Sequence, residues 1–322
     1  MPAAIVMENV RKTFGPKVAV AGLDLSVEEG GLYGFIGPNG AGKTTSIRMV
    51  MSIIFPDSGR LSVLGKASAT ESKDQIGYLP EERGVYRKMK VGAFLAYMAK
   101  LKGVDSGSSL AKTIEDWLER VGLADVRNKR CEELSKGMQQ KVQFIACVLH
   151  EPELLILDEP FSGLDPVNMR LMRDLFLEQH QAGRTMIFST HVMHQAEQLC
   201  DHIVMINNGQ KVLDATRDEI KARHEPDTIA FEPVDPLAQM SEIERVPGVV
   251  EVTKAEVGYE ARFERSNDPW ELLTRISQTL PMQRVEVRRP TLEDVFIELA
   301  KVDDEDAMRA ELAGQKALEV AR

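Results

Sequence analysis

Cysteine is scarce: Cys131, Cys147 and Cys200 are the only three among 322 residues. An odd number, widely spaced and without metal-ligand spacing, excludes a disulfide framework and a cysteine-based metal site, and predicts reduced thiols in a cytosolic protein. An uninterrupted apolar run of about 18 residues is also missing, so no membrane-spanning helix is expected. The longest apolar stretch, 49–55, is broken by Ser52 and suits a buried core element. Positive charge is not in excess. Forty Lys+Arg stand against fifty Asp+Glu, a net charge of -10, so electrostatics favour no general nucleic-acid partner. The opening MPAAIVMENVRK has no charged segment followed by an apolar one, so export is not expected. Internal repeats, low-complexity linkers and sustained heptads are absent too. What is there is 43% hydrophobic and 28% charged, the balance of a chain that folds into one large domain or two ordinary ones.

The first 225 or so residues alternate short apolar runs with longer amphipathic segments, which predicts an α/β domain. Residues 5–10, 18–21, 23–27 and 32–36 are expected strands, and a helix runs through 47–51. The runs 154–157 and 186–188 are too short for helices and do not alternate, which suits parallel strands buried on both faces. Between them, 168–181 has helical periodicity, with Leu171, Met172, Leu175 and Phe176 on one face. Composition shifts at HEPD, 224–227. The following 226–300 reads as a small α+β domain, with strands at 228–231, 249–252, 259–263 and 285–287 and helices at 270–280 and 292–300. In the last of these, Thr291 and Asp294 form a box-like start, and Val295, Phe296 and Leu299 an apolar face. The acidic, Ala/Glu-rich stretch 301–322 has the composition of a helix but no clean apolar stripe, so a helical tail and a frayed one are the two readings.

GPNGAGKTT, 37–45, fits G-x-x-x-x-G-K-[ST] between a buried strand and a helix. Gly37, Gly40 and Gly42 let the backbone of Gly37, Pro38, Asn39, Gly40, Ala41, Gly42, Lys43, Thr44 and Thr45 curl, so that its N–H groups face phosphate oxygens. Lys43 then reaches the β- and γ-phosphates at a helix N-terminus, and the Thr44 hydroxyl ligates Mg²⁺. LLILDEP, 154–160, is a buried strand ending in two carboxylates, where open α/β sheets place their chemistry. Asp158 is expected to hold the metal, and Glu159 to activate the attacking water as general base. The site is therefore expected to take a nucleotide and Mg²⁺.

Between these two motifs lies LSKGMQQK, 134–141, which resembles the LSGGQ signature of ATP-binding cassette (ABC) proteins. FSGLDP, 161–166, looks like that family's D-loop, STH, 189–191, its switch-histidine loop, and IGYLPEERG, 76–84, its Q-loop region. The resemblance covers residues 5 to about 223. It implies a RecA-like P-loop NTPase core with an antiparallel β-subdomain and a helical subdomain carrying the signature. It also implies that Ser135 and the Gly137 amide, at the start of helix 138–149, face ATP held by the other protomer of a nucleotide-sandwich homodimer. A Ser-capped helix without a ligand is the plain alternative. His191 is expected at the γ-phosphate, Asp165 at the dimer interface and Phe14 on adenine, where a core phenylalanine is the competing reading.

Two departures stand out: Glu81 occupies the Q-loop position, where the family commonly has Gln, and Lys136 and Met138 alter the signature. Glu81 can still ligate Mg²⁺ but brings an extra negative charge. LPEERG, LSKGMQQ and RRPTLEDVFIELA, 288–300, resemble the ABC-2 type exporter branch with its C-terminal accessory domain. That implies an ATPase subunit working with a separate integral-membrane permease at the cytoplasmic face of the membrane. A soluble ABC ATPase acting on ribosomes or nucleic acid is the alternative, and an importer is less favoured. The segment 81–91, ahead of an amphipathic helix at 93–102, is expected to receive the membrane subunit. It offers Val85, Tyr86 and Met89 as an apolar surface flanked by Arg83, Arg87, Lys88 and Lys90.

Overall fold

The computed structural model describes residues 2–300 except Arg83, Pro236, Leu237, Gln239, Glu256 and Arg265, and the backbone alone of Ala300. The tail 301–322 and Arg83 of the expected basic rim lie outside the described residues. The chain divides into two compact units, one built on the residues up to Ala215 and the other on Thr216–Glu298.

The first unit opens with the long strands β1 (Ala3–Phe14) and β2 (Lys17–Glu28), followed by β3 (Leu32–Ile36), α1 (Lys43–Val50), β4 (Ser58–Val63) and β5 (Ile76–Leu79). The helices α2 (Val91–Leu101), α3 (Ser108–Arg120) and α4 (Lys136–Val148) come next. Then follow β6 (Leu154–Asp158), α5 (Pro166–Gln181), β7 (Thr185–Thr190), α6 (Met193–Leu199), β8 (His202–Asn207) and β9 (Gln210–Thr216). A three-stranded antiparallel sheet has the order β2-β1-β4. A six-stranded sheet has the order β5-β6-β7-β3-β8-β9, with β5, β6, β7, β3 and β8 parallel.

The apolar faces of both sheets share one core with α1. Ile5, Met7, Leu25 and Val27 pack in it with Phe35, Ile156, Ile187 and Val204, and with Ile47, Met49 and Val50. β3, β6 and β7 are buried along their whole length, as strands covered on both faces must be. The expected break between 18–21 and 23–27 is absent. Gly22 keeps β2 continuous at φ 81°, where a Cβ would stand 2.8 Å from Asn9 Oδ1, and the register with β1 shifts nearby.

The second unit contains α7 (Arg217–Arg223), β10 (Thr228–Pro233), α8 (Ser241–Glu244), β11 (Val249–Lys254), β12 (Tyr259–Phe263), α9 (Pro269–Thr279), β13 (Met282–Arg288) and the start of α10 (Leu292–Ala300). Its antiparallel sheet has the order β11-β12-β10-β13. The core is Ile229, Phe231, Ala261 and Phe263 with Ile243, Leu272 and Ile276. The unit begins ahead of the composition change at 224–227. α7 is polar enough to read as part of the preceding domain, yet its Lys221 carbonyl accepts from Arg289 and His224 faces Glu298 at 3.6 Å. Thr291 and Asp294 exchange hydrogen bonds, 2.9 Å from the Thr291 N–H and 3.2 Å from the Asp294 N–H, as a capping box does.

Candidate functional site

The loop 37–42 leaves the carboxyl end of β3 and enters α1 at Lys43, with Gly42 as its left-handed N-cap at φ 112°. No side chain caps α1, so its first N–H groups are turned into the loop. A cleft of about 250 Å³ opens there, lined by Phe14, Asn39, Gly40, Gly42, Lys43, Thr44, Thr45, Glu81 and Glu159. Lys17 and Ala19 line it as well, and sequence reasoning missed both. They arrive from β2 through the turn after Phe14. Lys17, three residues beyond the suspected aromatic, was the available signal. Gly37 and Ala41 are in the loop for packing: Ala41 is buried in the core, and a Cβ on Gly37 would stand 2.1 Å from the Ile206 carbonyl oxygen. Pro38 lends its carbonyl to the lysine.

The Lys43 Nζ donates to the Gly37 carbonyl at 2.7 Å and the Pro38 carbonyl at 3.2 Å, and lies 3.9 Å from Glu159 Oε1. Burial lowers the pKa of its ammonium, while the Glu159, Asp158 and Glu81 carboxylates pull it back up. Asp158, at the end of β6, is pushed up to about 6 by burial. The Ser189 hydroxyl opposes the shift, the charges of Glu159 and Glu81 add to it, and Lys43 again opposes it. Ser189, on β7, donates to Asp158 Oδ1. Asp158 Oδ2 is buried and has no hydrogen-bond partner among the described residues. Asp158 is not part of the cleft lining, but a buried carboxylate oxygen left unsatisfied fits a cation ligand, and together with the Thr44 hydroxyl and Glu81 of the lining the donor set suits Mg²⁺.

Glu159 sits just beyond β6 at φ 47°, a region that costs a non-glycine residue about 1–3 kcal/mol. Its N–H donates to the Ser189 carbonyl at 3.1 Å. His191 Nδ1 lies 2.9 Å from Glu159 Oε1, so the histidine and the carboxylate that the sequence placed in one reaction are in direct contact. Phe14, half exposed at 50%, ends β1 at the rim of the cleft, with the Lys12 ammonium 5.5 Å from its ring centroid.

Ser135, Gly137 and Asp165 do not line this cleft. Ser135 caps α4, accepting from the Met138 N–H at 3.3 Å, and Asp165 caps α5, accepting from Val167 and Asn168 at 3.0 and 2.9 Å. The signature helix therefore starts at Lys136, two residues earlier than expected. Val85 leaves the expected docking surface, being only 8% exposed, while Tyr86 is 51% exposed and packs edge-on to Phe94 and Tyr97. Among the described residues no helix is long and apolar enough to cross a membrane.

The family pattern described as "ABC transporter" matches residues 20–162, and that described as "ATP-binding protein DrrA1-3-like, C-terminal domain" matches 216–300. The uncharacterized ABC transporter ATP-binding protein YhaQ of Bacillus subtilis is 38% identical over 91% of this chain and 97% of its own. The Nod factor export ATP-binding protein I of Burkholderia lata is 30% identical over 95% of this chain and 100% of its own. A solved structure described as the ATP-binding subunit of an ABC transporter superposes with a TM-score of 0.63 at 28% identity, over 68% of this chain and 92% of that one.

Proposed function

From the premise that this chain belongs to the ATP-binding proteins of ABC transporters, we propose that it is the ATP-hydrolysing subunit of an exporter, driving a separate integral-membrane permease from the cytoplasmic face. The contact between His191 and Glu159, beside Lys43, carries the reading: a base held by an imidazole next to a phosphate-binding cation is built to activate water. Thr44, Asp158 and Glu81 would hold Mg²⁺. The metal, when bound, supplies charge neutralisation on the phosphates. Lys43 binds the phosphates, His191 orients the carboxylate, and Glu159 takes the proton of the attacking water. Phe14 offers its exposed ring to adenine. A relative named for Nod factor export supports export over a ribosomal or nucleic-acid role.

In this reading Ser135 and Gly137, turned away from their own cleft, complete the partner's site in a nucleotide-sandwich homodimer. Tyr86, Arg87 and Lys88 present the surface for the permease. Glu159→Gln is expected to bind ATP and to hydrolyse it at least about 100-fold more slowly, measured as steady-state phosphate release. Turnover near the wild-type level overturns the assignment. Mixing Lys43→Ala with Ser135→Arg protomers, each inactive alone, should restore activity, because one composite site of the heterodimer is then intact. No recovery in demonstrated heterodimers argues against sharing.

A further inference from the structure

The left-handed backbone of Glu159 needs support on both sides, since such strain persists only where surrounding groups over-determine it. On the N-terminal side Ser189 supplies it, with its carbonyl 3.1 Å and its hydroxyl 3.3 Å from the Glu159 N–H. On the C-terminal side the loop closes on itself. The Ser162 N–H donates to the Glu159 carbonyl, and the Leu164 N–H to the Phe161 carbonyl, both at 3.1 Å. Pro160 has no N–H to contribute. Its carbonyl is held from elsewhere: Gln140 Nε2, on α4, donates to it at 3.1 Å, in a buried contact.

Gln140 is 2% exposed, one turn into the helix that Ser135 caps. α4 itself cannot rotate freely about this contact. Gln139 Nε2 binds the Cys131 and Leu134 carbonyls, both at 3.1 Å, and Lys141 Nζ binds the Val121 carbonyl at 2.8 Å. Beside these, Phe144 stacks edge-on to Phe176 at 5.2 Å, and Phe176 meets Phe161 at 5.3 Å. The helix and the loop after β6 thus share a rigid seam in which one polar side chain reaches the peptide next to the base. A buried amide donor is costly to leave unmade, so this contact fixes a position as well as filling space.

We infer that Gln140 is a positioning residue for hydrolysis, tying the backbone of the general base to the signature helix of the same protomer. The inference rests on Glu159 being that base. It gives the signature helix a second task besides its N-terminal serine: any shift of α4 is passed through Gln140 to the Glu159–Pro160 peptide. The groups that bind nucleotide within the protomer in this reading, the loop 37–45 and Phe14, take no part in this contact.

The test replaces the donor by an apolar side chain of similar size, Gln140→Met, with Gln140→Leu as a second variant, in the full-length protein. Folding is checked by the thermal midpoint and ATP binding by titration. The expected result is unchanged ATP affinity with kcat reduced about 10- to 100-fold, the scale of a displaced catalytic group. In the Glu159→Gln background, the same change should lower the residual rate less than about 2-fold, because the group it positions is already gone. A full, additive loss in that background shows a merely structural role and overturns the inference. So does wild-type kcat in Gln140→Met or Gln140→Leu beside a slow Glu159→Gln, which leaves the base assignment standing. Near-wild-type turnover of Glu159→Gln removes the base, and this inference with it.

Discussion

The two units solve burial in opposite ways. In the first, strands covered on both faces force ionisable groups inside: Lys43, Asp158 and Glu159 are buried at the ends of the parallel strands, and Lys141 and His150 lie at least partly inside. In the second, the antiparallel sheet keeps its charges on the outside, where Arg262 pairs with Glu251, Arg288 with Glu260 and Arg284 with Glu286. Its core, Ile229 to Ile276, is apolar throughout. Buried charge, an unsatisfied carboxylate oxygen and left-handed backbone at Glu159 coincide in the first unit, and among the described residues nothing comparable accompanies the second unit's core. Chemistry requires the first kind of interior; a packed accessory fold does without it.

Phe231→Ala strikes hardest at the second unit's interior. Removing this buried ring should cost about 3–5 kcal/mol in the second unit. If the units carry separate tasks, ATP binding by the first stays near wild type. Calorimetry beside an ATP titration reads both, and loss of nucleotide binding would show that the separation fails. A middle-sized effect concerns acid. Burial pushes His150 down to about 4 from its usual 6.5, while its Nε2 lies 3.1 Å from the Ile76 carbonyl. The folded protein binds that proton later than the unfolded chain does. The stabilising contribution is therefore complete above about pH 6.5 and disappears as pH falls toward 4. With partial solvent access it amounts to about 2 kcal/mol. His150→Gln should flatten this slope in denaturant titrations, and an unchanged slope would place the acid sensitivity elsewhere. The smallest change is Arg262→Ala, an exposed ion pair, expected to shift stability by less than about 0.5 kcal/mol.

Legibility in the sequence did not follow that divide: the second unit's strands and long helices lie close to where the sequence puts them, and the missed strands fall in the first unit. The 37–45 loop, the 154–157 strand and the DEP turn announced themselves because each combines buried apolar residues with groups that need an exact backbone setting. β4, SGRLSV, was missed since only Val63 is fully buried and the rest alternates weakly. β8 was missed despite its apolar run 203–206, which resembles 154–157 and was the available signal. Lys17 stood three residues beyond Phe14, but Ala19 and Gln140 could not be read from spacing. They reach the site through a hairpin turn and a helix packed across the loop, juxtapositions that only the folded chain creates. Ser189 stood inside the recognised STH triplet, but its bond to Asp158 depends on β6 and β7 being neighbours in register.

Gly37 is usually credited to the phosphate it approaches. Here its φ is 151°, and a methyl group in place of its hydrogen would collide with the Ile206 carbonyl oxygen at the end of β8. The first glycine of the loop is thus demanded by a neighbouring strand before any nucleotide arrives. Part of the motif is a joinery constraint between two adjacent strands, and a chain that lost the ability to bind ATP altogether would still be obliged to keep it.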